Sequence, residues 1–595
     1  LTYLYKSGSA DAGTEFASIN TVTITNKSGT TLTNYPVQFA RPFYQGEIAN
    51  YPEVLIGGSP VAQQQVDVKT RHGEVSTGSV RHAIFSLIIP SLANGASVTL
   101  TFRNKTSNNN TPETVANMLD TSKYGSFNAT MVLSPGGTAS ARTMLQAAGT
   151  CDANDAAGVS NPGRVCTYWT KGPVATTVIL ADHSAARAYD LGGDSYRSFR
   201  PIFQVTFWPS LNIYKVRYIG ENSNTETLQN LSYGLHLTVG SQSVYNKSPF
   251  NHPYASRWTK VFWGGPGTTS LGPNQQVDIN QNLAYLKETG FFPNYDTSLS
   301  TSVMAGEIAG EYSSWQSMAK DFLDPALLTP YMPTTGGRSD IGPLTTWATW
   351  WLYTGDWRMR VISEGAAELG GAWQAHVREG ETARKFDLAQ TLNALGRPVS
   401  IYARPDLWLF DNRNEDYAAG INDAVGVIGR AFGGGNGYYP NGNYTGGHGW
   451  SFDGAHTPEL YGPVYALTGD AYFLEQLQFW SSRYAASYNP GYKRNDGGIE
   501  AIIDQPRGNG WVVRMRGYTA LLSPDGSAEK SYFTTLTNRA LAYWNTYMLS
   551  GKPLRITLGS NDFRTVDAGY EPYVDLGTQV WQHGYWDVGI GMVKD

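Results

Sequence analysis

The run Gly264-Gly265-Pro266-Gly267 separates two different hydrophobic periods in this chain. Before it, apolar residues alternate in short runs bounded by Gly, Asn and Pro, the pattern of half-buried strands. After it, from residue 315 onward, they recur at three- and four-residue spacing, the pattern of a helix face. A break of this kind predicts β domains followed by a helical domain. The length of 595 residues agrees, since it exceeds what one core supports.

The β part divides again. Residues 1–107 hold the alternating run SINTVTI from Ser18 to Ile24. Shorter runs follow at Val37 to Phe39, Val66 to Val68, Val80 to Ile89 and Val98 to Phe102. Turn clusters at Asn26 to Gly29, Gly57 to Pro60 and Asn94 to Ala96 separate them, because these residue types accept backbone angles a strand cannot. The polar stretch from Asn104 to Pro112 reads as a linker. Residues 108–270 carry longer strands at Ala175 to Leu180, Phe203 to Phe207, Tyr214 to Tyr218 and Tyr233 to Val239. That spacing predicts an antiparallel β-sandwich.

Residues 271–595 predict helices with apolar faces at Met318, Phe322 and Leu323; Trp347, Trp350 and Trp351; Tyr461, Val464 and Tyr465; Phe473, Leu477 and Trp480; and Leu536, Ala540 and Trp544. Two of these helices end alike, in Thr354-Gly355-Asp356 and Thr468-Gly469-Asp470. A related ending runs from Leu521 to Gly526. The separations fit a repeat of about 57 residues, one helical hairpin, which suggests an α/α toroid or solenoid. The aspartate of each ending reads as the N-cap of the next helix.

Composition excludes several functions. A net charge of −5 without a basic run argues against nucleic acid. No apolar run approaches the ~20 residues of a membrane-spanning helix. The sequence opens on Leu1 without a leader pattern, which fits removal of a leader. Charged residues make up only 16%, whereas aromatic residues reach 13% with 37 Tyr and 17 Trp. Low charge and many rings suit a secreted or cell-surface bacterial protein in contact with carbohydrate; they equally suit a large aromatic core. Cys151 and Cys166 are the only cysteines, so a disulfide formed in an oxidising compartment is expected.

The segments NYPVQFARPFYQGEI, GSVRHAIFSL and PSLANGASVTLTF, then KGPVATTVIL at 171–180 and LTGDAYFLEQLQFW in the helical part, resemble the exo-rhamnogalacturonan lyase-like family. The resemblance implies a multidomain α+β chain. It would have a RIFT-type, barrel-like N-terminal β domain (1–107), a central antiparallel β-sandwich (108–270) and a C-terminal α/α toroid (271–595). It also implies polysaccharide lyase activity.

Candidate chemistry gathers at three places. Arg338, Ser339 and Asp340 precede Pro343 and the helix of Trp347, so Asp340 or Ser339 is expected at a helix start, with Arg338 and Trp347 as substrate contacts. Trp373, His376 and Glu379 would share one face of a helix, with Arg378 and Arg384 close by. The Gly-rich stretch from Asn441 holds His448, Trp450, Asp453 and His456. There Thr457 and Pro458 read as the start of the helix of Tyr461 and Tyr465, which would put His456 beside a helix N-terminus suited to a uronate carboxylate.

A lyase acting on an acidic polysaccharide or oligosaccharide needs a base such as His456 or Tyr461. It also needs a cation such as Arg378 or Arg384 to neutralise the enolate. A glycoside hydrolase would need a carboxyl pair drawn from Glu379, Asp453 and Glu459. A third class, an extracellular assembly protein or homo-oligomer on a carbohydrate-enzyme fold, stays open. It predicts His376, His456 and Tyr461 buried or dispersed, where an enzyme predicts them converging on open space. No cofactor is expected. Asp152, Asn154 and Asp155, or Asp411 to Asp416, offer the oxygen ligands of calcium, although such stretches are more often simple turns.

Overall fold

A computed structural model describes residues 19–74, 77–152, 165–181, 199–223, 230–267, 276–379, 386, 394–404, 407–410, 413–416, 449–487 and 506–549. The fold is mixed α+β, with several antiparallel sheets and, among the described residues, eleven α-helices.

Two sheets form the N-terminal β unit. One runs in the order Val277–Asn280, Thr21–Asn26, Ser97–Lys105, Tyr51–Ile56, Ser59–Pro60, and the other Leu32–Pro42, Val80–Leu92, Gln64–Arg71. Strict alternation in Thr21–Asn26 buries Val22 and Ile24. Together with Phe39, Phe85 and Leu100 they fill the space between the sheets. One strand comes from far along the chain. After the whole sandwich, Val277–Asn280 returns to pair with Thr21–Asn26, in the register Thr23 to Asn280.

The sandwich joins a five-stranded sheet (Cys166–Thr170, Thr176–Leu180, Phe199–Trp208, Ile213–Asn222, Ser256–Gly264) to a four-stranded one (Gln242–His252, Leu231–Val239, Ala129–Ser134, Thr138–Ser140). Cys151 and Cys166 form a disulfide at the first strand. Every residue of Phe199–Trp208 is buried, as is all of Ile213–Asn222 except Lys215. Both faces of this sheet are therefore covered. Phe203, Phe207, Tyr214 and Tyr218 pack inside the sandwich. The alternate positions, Gln204, Arg217, Glu221 and Arg257, meet the helices instead.

That second face is held by charge. Glu221 receives Arg378 at 2.6 and 2.8 Å and Arg257 at 2.8 Å. Glu475, on the helix Ala471–Ala486, receives Arg378 at 2.5 Å and is also bound by Arg257. These four side chains are 0–4% exposed. Nearby, Arg217 reaches Glu368 of the helix Trp357–Leu369 at 2.6 Å and Asp470 at 2.8 Å.

The Thr-Gly-Asp endings have a second role beyond capping. Asp356 and Asp470 do cap the following helices, accepting from the backbone N–H of Arg358 and Tyr472. The glycines between take left-handed angles, φ 69° at Gly355 and 72° at Gly469. Both also press against the N-terminal β unit. A Cβ on Gly355 would lie 2.4 Å from Asn280, and one on Gly469 would lie 2.5 Å from Ile84. Hydrogen bonds add to this: the Ile279 N–H of that unit donates to the Gly355 carbonyl at 2.9 Å, and the Trp169 indole of the sandwich donates to the Gly469 carbonyl at 2.8 Å.

One expected helix face is absent. The helix Ala305–Ser317 ends before Met318, Phe322 and Leu323, and Leu323 adopts φ 75°. Asp321 accounts for this, because Lys247 and Lys260 of the sandwich hold its carboxylate at 2.8 and 2.6 Å and draw the segment away from the helix axis.

Two stability predictions follow from these contacts. Gly469→Ala combines a strained φ with a clash on Ile84 and should cost about 2–4 kcal/mol in denaturant unfolding. Glu475→Gln leaves two buried guanidinium groups sharing one carboxylate and should cost about 3–5 kcal/mol. A change under about 0.5 kcal/mol in either variant would contradict the packing described.

Candidate active site

The segment from Gly449 to Tyr461 rests on an aromatic footing. Trp373 meets Trp450 edge-on at 4.5 Å and Trp480 at 5.4 Å, and Phe452 meets Trp480 at 5.2 Å. The indoles of Trp450 and Trp373 donate to the carbonyls of Leu323 (3.1 Å) and Pro330 (2.9 Å). Ser451 exchanges backbone bonds with Pro330 and Met332. A short 3₁₀ turn, Gly454–His456, then projects from this footing, and Asp453 caps it through the Ala455 N–H at 3.0 Å.

The other oxygen of Asp453 binds His456 Nδ1. On the far side of the ring, His456 Nε2 lies 2.9 Å from a guanidinium nitrogen of Arg507, which sits in the first turn of the helix Pro506–Leu522. Guanidinium only donates, so Nε2 must be the acceptor and Nδ1 must carry the proton that Asp453 receives. Arg338 closes the group, donating to the His456 carbonyl at 3.0 Å and to Asp340 at 2.7 Å. Exposure of the His456 and Asp453 side chains is 14% and 15%, so the dyad reaches accessible surface.

Three of the residues expected from sequence, Arg338, Asp453 and His456, thus meet. Arg507 was missed, since nothing in the sequence near Pro506 marks it. The helix-start readings are corrected. The helix Thr346–Thr354 begins after Asp340, with Thr345 as its N-cap, and Asp340 instead accepts from Arg338 and the Thr329 N–H. The helix Gly462–Thr468 has Pro463 in its first turn. Thr457 therefore is not the N-cap of that helix but closes the preceding 3₁₀ turn, its hydroxyl donating to the Asp453 carbonyl at 2.9 Å, and His456 does not lie beside that N-terminus. Glu459 does, accepting from the Gly462 N–H at 2.9 Å.

The other candidates sit elsewhere. The stretch from Trp373 to Glu379 is not helical, because it pairs along its backbone with Ala255, Ser223 and Arg397. Arg378 belongs to the charge network described above, and Glu379 is gripped by Arg404 at 2.7 and 2.8 Å. Glu459 and Arg514 face each other fully buried. Trp347, Trp373, Trp450, Tyr461 and Tyr465 are all buried in the core. The Tyr461 hydroxyl has no partner among the described residues. His376 and Tyr461 do not converge with His456 on open space; both are 0% exposed. His448, Arg384, Asn154, Asp155 and Asp411 lie outside the described residues. Among the described residues, no group of three or more His, Cys, Asp or Glu could hold a metal ion. No described helix is long and apolar enough to cross a membrane.

Three histidines are buried as neutral rings. Burial depresses His82 to about 4 and both His252 and His376 to about 3, and neighbouring cations add to this at His82 and His376. Below the ordinary imidazole value of about 6.5 the unfolded chain binds protons that the folded chain refuses. Stability is therefore complete above that value and falls as pH drops toward 4, by about 1.4 kcal/mol per pH unit for each ring. A melting temperature that decreases steadily from pH 7 to pH 5 is the expected result; a flat profile would show that these rings are not held neutral.

No protein-family model and no curated protein matches this chain.

Proposed function

We propose that this chain is a secreted polysaccharide lyase that cleaves a uronate-containing polysaccharide by β-elimination. The proposed architecture is a RIFT-type barrel, a β-sandwich and an α/α toroid, as in the exo-rhamnogalacturonan lyase-like family. The observation that carries the reading is the Asp453–His456 dyad with Arg507 at its basic nitrogen and Arg338 behind it. The Cys151–Cys166 disulfide supports an oxidising compartment.

Elimination moves the proton α to the uronate carboxylate onto His456 Nε2, forms the α,β double bond and breaks the glycosidic C–O bond at the β carbon, and the departing oxygen takes up a proton from the imidazolium or from water. Asp453 holds the His456 tautomer in which Nε2 is free to act as base once its guanidinium neighbour turns away. An incoming carboxylate supplies the reason to turn, since a bidentate guanidinium–carboxylate pair is stronger than the bond from Arg507 to a neutral ring. Arg507 would then neutralise the charge that builds on the carboxylate in the transition state. Arg338 fixes the backbone of His456.

Two other readings have weaker support. Glu379 and Glu459, the expected hydrolase carboxyls, each face a buried arginine. The burial of His376 and Tyr461 is what an assembly protein would show.

Digestion of a panel of uronate-containing polysaccharides, followed by ultraviolet absorbance and reducing ends together, tests the proposal. Both signals should rise, because only elimination leaves a conjugated unsaturated uronate. His456→Ala should reduce the rate at least about 100-fold. Reducing ends without absorbance, or full activity in His456→Ala, would refute it.

A further inference from the structure

A cavity of about 240 Å³ lies where the N-terminal β unit, the sandwich and the helices meet. It opens between Leu32–Pro42 on one side, Ile213–Asn222 and Ser256–Gly264 on another, and the helix Trp357–Leu369 on the third. Three indoles line it: Trp208, Trp263 and Trp351. Trp208 is 3% exposed, and its indole N–H has no acceptor among the described residues. An unmet donor at a water-accessible cavity costs free energy unless something fills the place.

The charges in the cavity cancel. Arg217 is paired with Glu368 and Asp470, Arg360 lies 3.7 Å from Glu364, and Lys215 lies 3.9 Å from Asp470. Three cations thus meet three carboxylates, and no net field selects an ion. Paired charges still present donors and acceptors side by side, which suits hydroxyl groups that do both. Glu364 and Glu368 are four apart on one helix and share its face. Glu364 lines the cavity, and 31% of its side-chain surface is exposed. The surrounding protein nonetheless raises its carboxyl pKa, with Arg360 opposing and Glu368 adding to the rise.

A second cavity of about 250 Å³, lined by Trp258, Trp315 and Lys260, shares Val261 and Glu368 with the first. Each volume falls just below the roughly 300–1,000 Å³ of pockets that enclose drug-sized ligands. One sugar ring fits each cavity better than a long chain does.

We propose that this junction binds a neutral saccharide of one to a few rings, stacked on Trp263 and hydrogen-bonded by Trp208, Glu364 and Glu368. The site is distinct from the His456 dyad, shares no residue with it, and does not rest on the lyase reading.

Calorimetric titration of the full chain with D-galactose, L-rhamnose and lactose tests the proposal, with melting curves to check that each variant is folded. At least one sugar should bind saturably. Trp263→Ala should weaken that binding at least tenfold, and Glu364→Gln, a near-isosteric change, at least threefold. His456→Ala should leave it unchanged. No binding by the wild type, undiminished binding in both cavity variants, or loss of binding in His456→Ala would each overturn the proposal. Failure of the lyase assay alone would leave the cavity result standing.

Discussion

The helices are fixed on the sandwich by a buried lattice of charge. Sheets with both faces covered are usually apolar on both. Here the helix-facing side of the five-stranded sheet carries Arg217, Glu221 and Arg257, and each is met by an opposite charge: Glu368, Asp470, Glu475 or Arg378. Such pairs add little net stability over well-packed hydrocarbon, because desolvation offsets most of the attraction. What they provide is position. A helix sliding by one turn on an apolar face loses a little packing, whereas here it would leave several buried charges unpaired. The lattice also restores the ionised state that burial opposes. Arg378, which burial alone would pull down, is held above its ordinary range by Glu221 and Glu475.

The Thr-Gly-Asp turns secure the other interface. Each glycine brings backbone against the N-terminal β unit, while the aspartate starts the next helix. At Asp470 the two functions coincide, since the residue that caps the helix also pairs with Arg217. The motif that suggested a helical repeat therefore recurs at places where helix ends dock on strands. That requirement explains why both copies keep glycine, and it holds whether or not the helices close into a ring.

Local grammar in this sequence was legible, and long-range pairing was not. Alternation and turn residues located the strands, and the two aspartates were readable as caps because capping is decided within three residues. The helix starts near Asp340 and Thr457 were misjudged because a proline was taken to mark the first turn. In both cases the residue was already engaged by a neighbour in the preceding or following turn: the Ser339 carbonyl accepts from the Thr346 N–H, and the Thr457 hydroxyl donates to the Asp453 carbonyl. Arg378 and Glu379 looked like solvated or catalytic charges because their partners, Glu221 and Arg404, lie on other elements. The cavity left a trace: Arg360, Glu364 and Glu368 recur every four residues. That pattern is common on solvated helices, and only the sheet opposite makes it a lining.

The aromatic residues divide in the same way. High ring content admitted two readings, sugar contact or core. Around the His456 dyad the rings went to the core: Trp373, Trp450 and Trp480 interlock edge to face and leave no flat surface open. Their effect on the dyad is indirect but strong. A loop histidine is useful as a base only if its backbone is held in place, and here two indole hydrogen bonds and the paired backbone of Ser451 anchor the segment that carries it. At the domain junction the same residue type serves differently, because three layers cannot be packed flush where they meet and the rings line the space that remains. The same residue type thus braces the dyad at one place and lines open space at the other.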